Sequence, residues 1–235
     1  MRGVVLAGGS GSRLLPLTRT INKHLLPVGQ QPMIYYPVQA LARAGIEDIL
    51  VVTGVDHIGD IVSQLRSGED HGCRFTYRVQ ERPLGIADAL ALAEDFAQGS
   101  PVVVVLGDNI FDAPLRPHID AFLAAGAAAQ IHLHRVKDPH RFGCPRFEDD
   151  ALVEIIEKPL APPSPYAVTG IYIFDAQVYG YIAQLTPSAR GELEISDINN
   201  RYLAAGTLRH AELGGDWTDA GTHASLVRAN QMVSR

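Results

Sequence analysis

The chain has 235 residues, enough for one large domain or two small ones and for a core that needs no disulfide staples. Apolar residues make up 46% and charged residues 20%, which excludes a disordered or fibrous chain. Lys and Arg number 20 against 26 Asp and Glu, a net charge of −6 that argues against non-specific nucleic-acid binding but leaves room for a small anion held by local cations.

Two cysteines, Cys73 and Cys144, are too few for a disulfide framework and fit a reduced, cytoplasmic protein. The apolar residues 4–7 are too short for a signal-peptide core, and no stretch approaches the ~20 apolar residues of a membrane span. Residues 3–7 (GVVLA), 49–53 (ILVVT) and 102–106 (VVVVL) are continuous and mostly β-branched, as buried strands are. Between them, 33–44, 58–66 and 86–96 carry helical spacing; Ala87, Leu90, Ala91 and Glu94 fall on one face, three of them apolar. This β-α-β-α alternation predicts an α/β fold with a mostly parallel sheet covered by helices on both faces. Further on, 128–135, 152–157, 168–174 and 207–212 are expected strands, and 176–184, 194–205 and 222–232 expected helices. The proline-rich residues 159–165 suit a rigid surface loop within one domain better than a linker, since strands resume directly after them.

The chemistry concentrates at strand ends. Leu6-Ala7-Gly8-Gly9-Ser10-Gly11-Ser12-Arg13 follows the first strand; its glycines let backbone N–H groups approach an anion, and Arg13 adds a bidentate cation. A glycine-rich turn without a ligand is the plainer alternative. Leu14 stands where a dinucleotide fingerprint needs glycine, and the Gly-Lys-Ser/Thr of a P-loop is absent. Lys23 follows soon after; alone it suits a solvated surface, but its closeness to the loop favours the same anion. Asp108, just beyond residues 102–106, lies where open α/β sheets bind ligands, and a carboxylate there can hold Mg²⁺ or merely shape a turn. Asp219 is either a second ligand or a cap for the last helix. His132 and His134 share a strand face, and no further ligand joins them at metal-site spacing, so a sheet-face role is the plainer one. Ser10 and Ser12 do not meet the strand-turn-helix pattern of a nucleophilic serine.

Together these segments resemble one family, the sugar-1-phosphate nucleotidyltransferases, and within it the short bacterial thymidylyltransferases. The resemblance spans the chain and keeps motif order: LAGGSGSR (6–13), NKHLLP (22–27), QPMIYYP (31–37), LGDNIF (106–111), DPHRFG (138–143), EKP (157–159), YAVTGIYIFD (166–175), ARGELEISDIN (189–199) and WTDAGTH (217–223). It implies a single-domain, Rossmann-like three-layer fold, with a nucleotide-binding half near 1–112 and a sugar-binding, metal-completing half near 113–235. It further implies Mg²⁺-dependent transfer of a thymidylyl group from dTTP to glucose 1-phosphate, toward dTDP-rhamnose or related sugars, by a homo-oligomer, dimeric or tetrameric. The implied nucleotide site comprises Leu6, Ala7, Gly8, Gly9, Gly11, Arg13, Lys23 and Asp108, with Gln80 and Gly85 reading the pyrimidine. The implied sugar-phosphate site comprises Gly143, Glu157, Lys158, Val168 and Arg190. Asp108 and Asp219 are the implied metal ligands, and Arg13, Lys23, Asp108, Lys158 and Asp219 the implied catalytic set. Three features depart from many relatives: Asp88 where Gln is common, Ala220 where Thr often follows the metal Asp, and the bulkier Pro83-Leu84. They bear on base preference rather than on the reaction. The chain also ends soon after Gly221, so the effector site of longer relatives is expected to be absent or rebuilt. The same chemistry on UTP or another hexose 1-phosphate, and a non-catalytic nucleotide-sugar-binding subunit, are the alternatives; a nicotinamide oxidoreductase is disfavoured by Leu14.

Overall fold

Along the valine-rich strands, alternate side chains enter opposite faces of one sheet, and both faces are apolar. Val4 and Leu6 join one buried cluster while Val5 and Ala7 join another, and Val102 and Val104 oppose Val103 and Val105 in the same way. A strand apolar on both faces must be covered on both, which dictates three layers. The structure, a computed structural model, describes residues 1–9 and 11–234. Ser10 lies outside the described residues.

In chain order the elements begin β1 (Arg2–Ala7), β2 (Pro27–Val28), β3 (Gln31–Pro32), α1 (Tyr35–Arg43), β4 (Asp48–Gly54), α2 (Ile58–Leu65) and β5 (Arg74–Gln80). They continue with α3 (Ile86–Ala91), α4 (Glu94–Ala97), β6 (Val102–Leu106), β7 (Asn109–Phe111), α5 (Arg116–Ala125), β8 (Ala129–Arg135), β9 (Gly143–Glu148) and β10 (Ala151–Glu157). The remainder is β11 (Tyr166–Phe174), α6 (Gln177–Ile182), α7 (Ile195–Ala204), β12 (Leu208–Glu212), β13 (Trp217–Asp219) and α8 (His223–Val233). The central sheet runs β12-β8-β11-β6-β1-β4-β5, and every pairing is parallel except the two made by β11. Six strand ends therefore point to one edge, joined there by the start of β11. The α3, α6 and α7 helices bury Leu90, Ile182 and Tyr202 on one face. On the other face α1, α2 and α5 bury Leu41, Ile61 and Phe122. Fully burying a Leu, Ile or Phe side chain of this kind contributes about 1.5–3 kcal/mol.

A smaller third cluster decides where the chain's two ends meet. Leu14, Leu26, Val28 and Met33 pack with Ile110, Ala220 and Ala229, so α8 lies against the segment that follows the glycine loop. Thr222 starts α8 with a reciprocal capping box to Ser225.

The alternating strands and helices of the first half occur as expected, within a residue or two. The helix expected over 86–96 divides into α3 and α4, because the chain tightens where the Ala93 N–H bonds to the Leu90 carbonyl three residues back. The β2, β3, β7, β9 and β13 strands and α5 lie outside the expected elements; β2 and β3 have two residues each and β7 and β13 three, too few to show a period. Residues 159–165 form an irregular loop between β10 and β11. Among the described residues, no helix is long and apolar enough to cross a membrane.

His132 is fully buried in β8 and belongs to the sheet. Its Nδ1–H donates to the Ile171 carbonyl at 3.0 Å, while Nε2 accepts from Gln130 at 3.1 Å and the ring packs edge-on against His118. Burial, reinforced by His118, lowers its pKa from 6.5 to about 4. The unfolded chain takes up this proton below about pH 6.5 while the fold resists it, so stability falls as pH drops from about 6.5 to about 4, by roughly 3 kcal/mol for this group. His132→Gln offers a donor and an acceptor without titrating. The acid dependence of its urea midpoint should be shallower over that range, and an unchanged slope would remove His132 as its source.

Candidate active site

The glycine loop leaves β1 at Ala7. The Leu6 and Ala7 side chains are spent in the two core clusters, so only their backbone is available to a ligand. Gly9 and Gly11 have φ of 99° and 62°, the region glycine occupies without strain. Gly11 also has no room for a Cβ, which would stand 2.9 Å from Thr18 Cγ2, and the Thr18 hydroxyl ties the loop by donating to the Gly11 carbonyl at 2.8 Å. On the far side, Gln80 ends β5 and turns Oε1 to within 3.0 Å of the position a Gly8 Cβ would take.

Lys23 is placed by its neighbours. Asn22 caps the short turn Lys23–Leu25, its Oδ1 accepting from the His24 N–H at 2.9 Å and from His24 Nδ1 at 2.8 Å. Burial, aided by the Lys23 charge, pushes the His24 imidazole down to about 3, so it sits neutral beneath the strand-end turn at Gly107. Lys23 Nζ then donates to Asp108 Oδ2 at 2.6 Å. Burial alone would raise the Asp108 carboxyl; the Lys23 ammonium and the Asn109 amide hold it well below the usual carboxylate range.

The second carboxylate arrives through a three-residue pairing. In the antiparallel β7–β13 ladder Asp219 lies opposite Asn109, and the Ala220 N–H donates to the Asp108 carbonyl at 2.8 Å. At Gly221 an added Cβ would stand 3.2 Å from Asp219 Oδ2, 3.3 Å from Asp108 Oδ2 and 3.4 Å from Arg13 Nη2, so two carboxylates and a guanidinium converge on one glycine. Burial and repulsion from Asp108 raise the Asp219 pKa, against the pull of Arg141, Arg13 and Lys23. Arg141 donates to Asp219 at 2.7 Å and to Asp138 at 2.8 Å. Asn109 organises the floor of the site: its Oδ1 accepts from Trp217 Nε1 at 2.7 Å and from the Gly170 N–H at 3.0 Å, and its Nδ2 donates to Asp108 at 3.2 Å.

Beyond Asp219 lies a cleft lined by Arg141, Phe142, Tyr172 and Trp217. The β9–β10 hairpin sets Glu157 opposite Gly143, where a Cβ would come 3.0 Å from Ser196 Oγ. Glu157 accepts from Ser196 and pairs with Lys158 at 3.3 Å and Arg190 at 3.6 Å. Arg190 also pairs with Glu192 at 3.1 Å and Glu194 at 2.8 Å, so an anion reaching it must share it with three carboxylates. Lys158 has only the Glu157 pair among the described residues. Val168, near the start of β11, completes one wall. Gly85 lines neither cleft: it stacks on the Leu193 backbone, where a Cβ would meet the carbonyl at 2.5 Å.

A second cleft, lined by Gly9, Lys23, Gln80 and Gly54, opens on the other side of the Lys23–Asp108 pair. Apart from Gly85, the structure thus gathers the expected residues at one sheet edge, around two clefts that meet at an ion pair.

Residues 2–235 match the family model for nucleotidyl transferases. The chain belongs to that family. It is 44% identical to a glucose-1-phosphate thymidylyltransferase of Neisseria meningitidis, over 99% of this chain and 82% of the relative. It is 40% identical to the low-salt glycan biosynthesis nucleotidyltransferase of Haloferax volcanii, over 66% of that protein. A Bacillus anthracis protein assigned as a glucose-1-phosphate thymidylyltransferase, solved with sucrose, superposes with TM-score 0.94 at 54% identity, covering 98% of this chain and 94% of that one. A UDP-glucose pyrophosphorylase in complex with UDP-glucose shares the fold, with TM-score 0.87 at 23% identity over 99% of this chain and 98% of that one. In this nucleotidyltransferase, Asn22, Asn109, Arg141, Ser196, Glu194 and Trp217 complete the site without having been singled out from the sequence. All but Glu194 and Ser196 sit within a residue or two of a residue that was, and those two lie in the 189–199 motif. Their own side-chain chemistry, however, becomes visible only through their tertiary partners.

Proposed function

We propose that this nucleotidyltransferase transfers a thymidylyl group from dTTP to α-D-glucose 1-phosphate, releasing pyrophosphate and forming dTDP-glucose. The observation that carries it is the meeting of the two clefts at Lys23 and Asp108. The names of its 44% and 54% identical relatives supply the substrate pair. The nucleotide would occupy the cleft over Gly8, Gly9 and Gly11, its base toward Gln80, with Arg13 and Lys23 against its phosphates. The sugar phosphate would enter beyond Asp219, with Glu157 accepting from the sugar hydroxyls and Lys158 and Arg190 facing the phosphate.

The attacking oxygen belongs to a phosphate monoester whose second pKa is near 6, so at pH 7 it needs no strong base. The protein's task is to bring two anions together and to stabilise charge on the α-phosphate and the departing pyrophosphate. Arg13 and Lys23 carry fixed positive charge to that junction, and the partly buried setting strengthens their effect.

The donor set at Asp108 and Asp219 fits Mg²⁺. Two converging carboxylates match a cation that takes one or two carboxylates plus substrate phosphates. When bound, the ion neutralises phosphate charge and favours departure of pyrophosphate. Until then Lys23 and Arg141 balance the two carboxylates.

Purified protein incubated with Mg²⁺, glucose 1-phosphate and each pyrimidine triphosphate should release pyrophosphate fastest with dTTP. UTP should follow, since hydrogen bonding at the pyrimidine edge does not sense the thymine methyl. Absence of pyrophosphate with every nucleotide and sugar 1-phosphate would leave a nucleotide-sugar-binding role instead.

A further inference from the structure

We propose that Asp88 sets the base preference of the nucleotide cleft by locking the Gln80 amide with its oxygen toward the ligand. The inference rests on the nucleotide occupying the Gly9–Gln80 cleft, as proposed above. Gln80 Nε2 donates to the Gly85 carbonyl at 3.1 Å and to Asp88 Oδ2 at 2.7 Å. Both partners are acceptors with no hydrogen to give, so the nitrogen must face them and both of its hydrogens are used. A flipped amide would set Oε1 against two oxygens at hydrogen-bond distance. Gln80 is nearly buried, leaving little water to absorb such a mismatch. The oxygen is therefore turned away from both partners, beside Gly8, in a side chain that lines the cleft, and it accepts no hydrogen bond among the described residues.

The lock is itself held in place. The Leu193 N–H donates to the Leu84 carbonyl at 2.7 Å and the Ala87 N–H to the Leu193 carbonyl at 3.2 Å, which pins the loop that carries Gly85 and Asp88. Gly85, with φ of 107° and its α-carbon against the Leu193 backbone, allows that close approach.

A glutamine free to turn over would accept from one base and donate to another. With Asp88 opposite its nitrogen, Gln80 offers only an acceptor. Thymine and uracil present an N3–H to such a group, whereas cytosine carries a lone pair at N3. A site whose polar group is left unpaired by the wrong ligand rejects it strongly. Asp88 is thus a positioning residue, acting on the base through Gln80.

The test is the ratio of dissociation constants for dTTP and dCTP, measured by calorimetry on the intact protein, with UTP as internal control. Asp88→Ala should narrow the dTTP preference over dCTP by about 10-fold, and Asp88→Asn, whose amide can accept or donate, should narrow it by less. The dTTP-to-UTP ratio should stay constant, because both bases carry N3–H, and the affinity for glucose 1-phosphate should not move. Asp88→Glu, which restores a pure acceptor, should return most of the preference. A dTTP-to-dCTP ratio within twofold of the original in both variants would overturn the lock. So would equal weakening of all three nucleotides together with glucose 1-phosphate, which is the mark of a packing role. Calorimetry needs no turnover, so the lock and the reaction fail separately: an inactive protein that still discriminates by base sinks only the reaction, and an active one indifferent to Asp88 sinks only the lock.

Discussion

Replacing Asp108 with Asn should lower kcat/KM for Mg²⁺-dependent pyrophosphate release by at least about 100-fold, roughly 2.7 kcal/mol of transition-state stabilisation. The amide has nearly the same shape and can still accept from Lys23, so the Lys23–Asp108 contact at 2.6 Å changes character more than geometry. The charge is what is lost. Asp108 is one of two carboxylates converging at Gly221, and a neutral amide cannot take its share of a divalent cation. The cost to the fold should be small, because Lys23 is left with a weaker partner rather than none, and a thermal midpoint within about 5 °C of the parent is expected. Near-normal turnover would remove Asp108 from the proposed metal site.

The largest stability effect is expected at Asn109. Its Oδ1 satisfies two buried donors at once, the Trp217 indole at 2.7 Å and the Gly170 amide at 3.0 Å. Asn109→Ala strands both, at about 1–3 kcal/mol each, and lowers the thermal midpoint by roughly 5–15 °C. Trp217 is the chain's single tryptophan, so its emission should shift as the indole loses its acceptor. The same truncation frees Asp108 Oδ1 from its amide partner and loosens the wall shared by β7, β11 and β13. A midpoint within about 2 °C of the parent, with unchanged emission, would mean that water replaces the amide at no cost. Gly170 explains why asparagine fits: a Cβ there would stand 2.5 Å from Asn109 Nδ2, so the close approach needs a glycine on β11.

Much of the frame was legible in the sequence because it is local. The valine runs at 49–53 and 102–106 are buried on both faces, and burial on both faces leaves an apolar run that needs no partner to be recognised. The glycine loop is legible for the same reason: a demand for positive φ at Gly9 and Gly11 is met by the residue itself. Arg141 was not legible. An arginine in a turn is ordinarily a solvated side chain, and only the ladder that brings Asp219 beside Asn109 gives it a carboxylate to hold. The β9 strand was equally hidden, since among the described residues it lies outside the central sheet and pairs only with β10.

Arg190 shows the converse. Resemblance places it at a sugar phosphate, whereas its geometry gives it three carboxylate neighbours, two of them within 3.1 Å. Glu194, which burial alone would raise, is held below its ordinary pKa by hydrogen bonds from Arg190 and Ser188. In this arrangement the guanidinium fixes the segment that leads into α7 as well as facing the cleft.

The amino-acid sequence by itself determined the alternation of strands and helices, the glycine-bordered strand end and the family to which the motifs belong. Each of these is written in residue type and short-range period. Tertiary structure alone decided that Asp108 and Asp219 converge at Gly221, that Arg141 balances the pair, and that Asp88 faces the nitrogen of Gln80. The reason is separation along the chain. Bringing Asp108, in the turn between β6 and β7, together with Asp219 of β13 depends on a three-residue ladder and on α8 packing against the segment that follows the glycine loop. Such contacts form only once the sheet has brought its strand ends to one edge, and no local pattern records them.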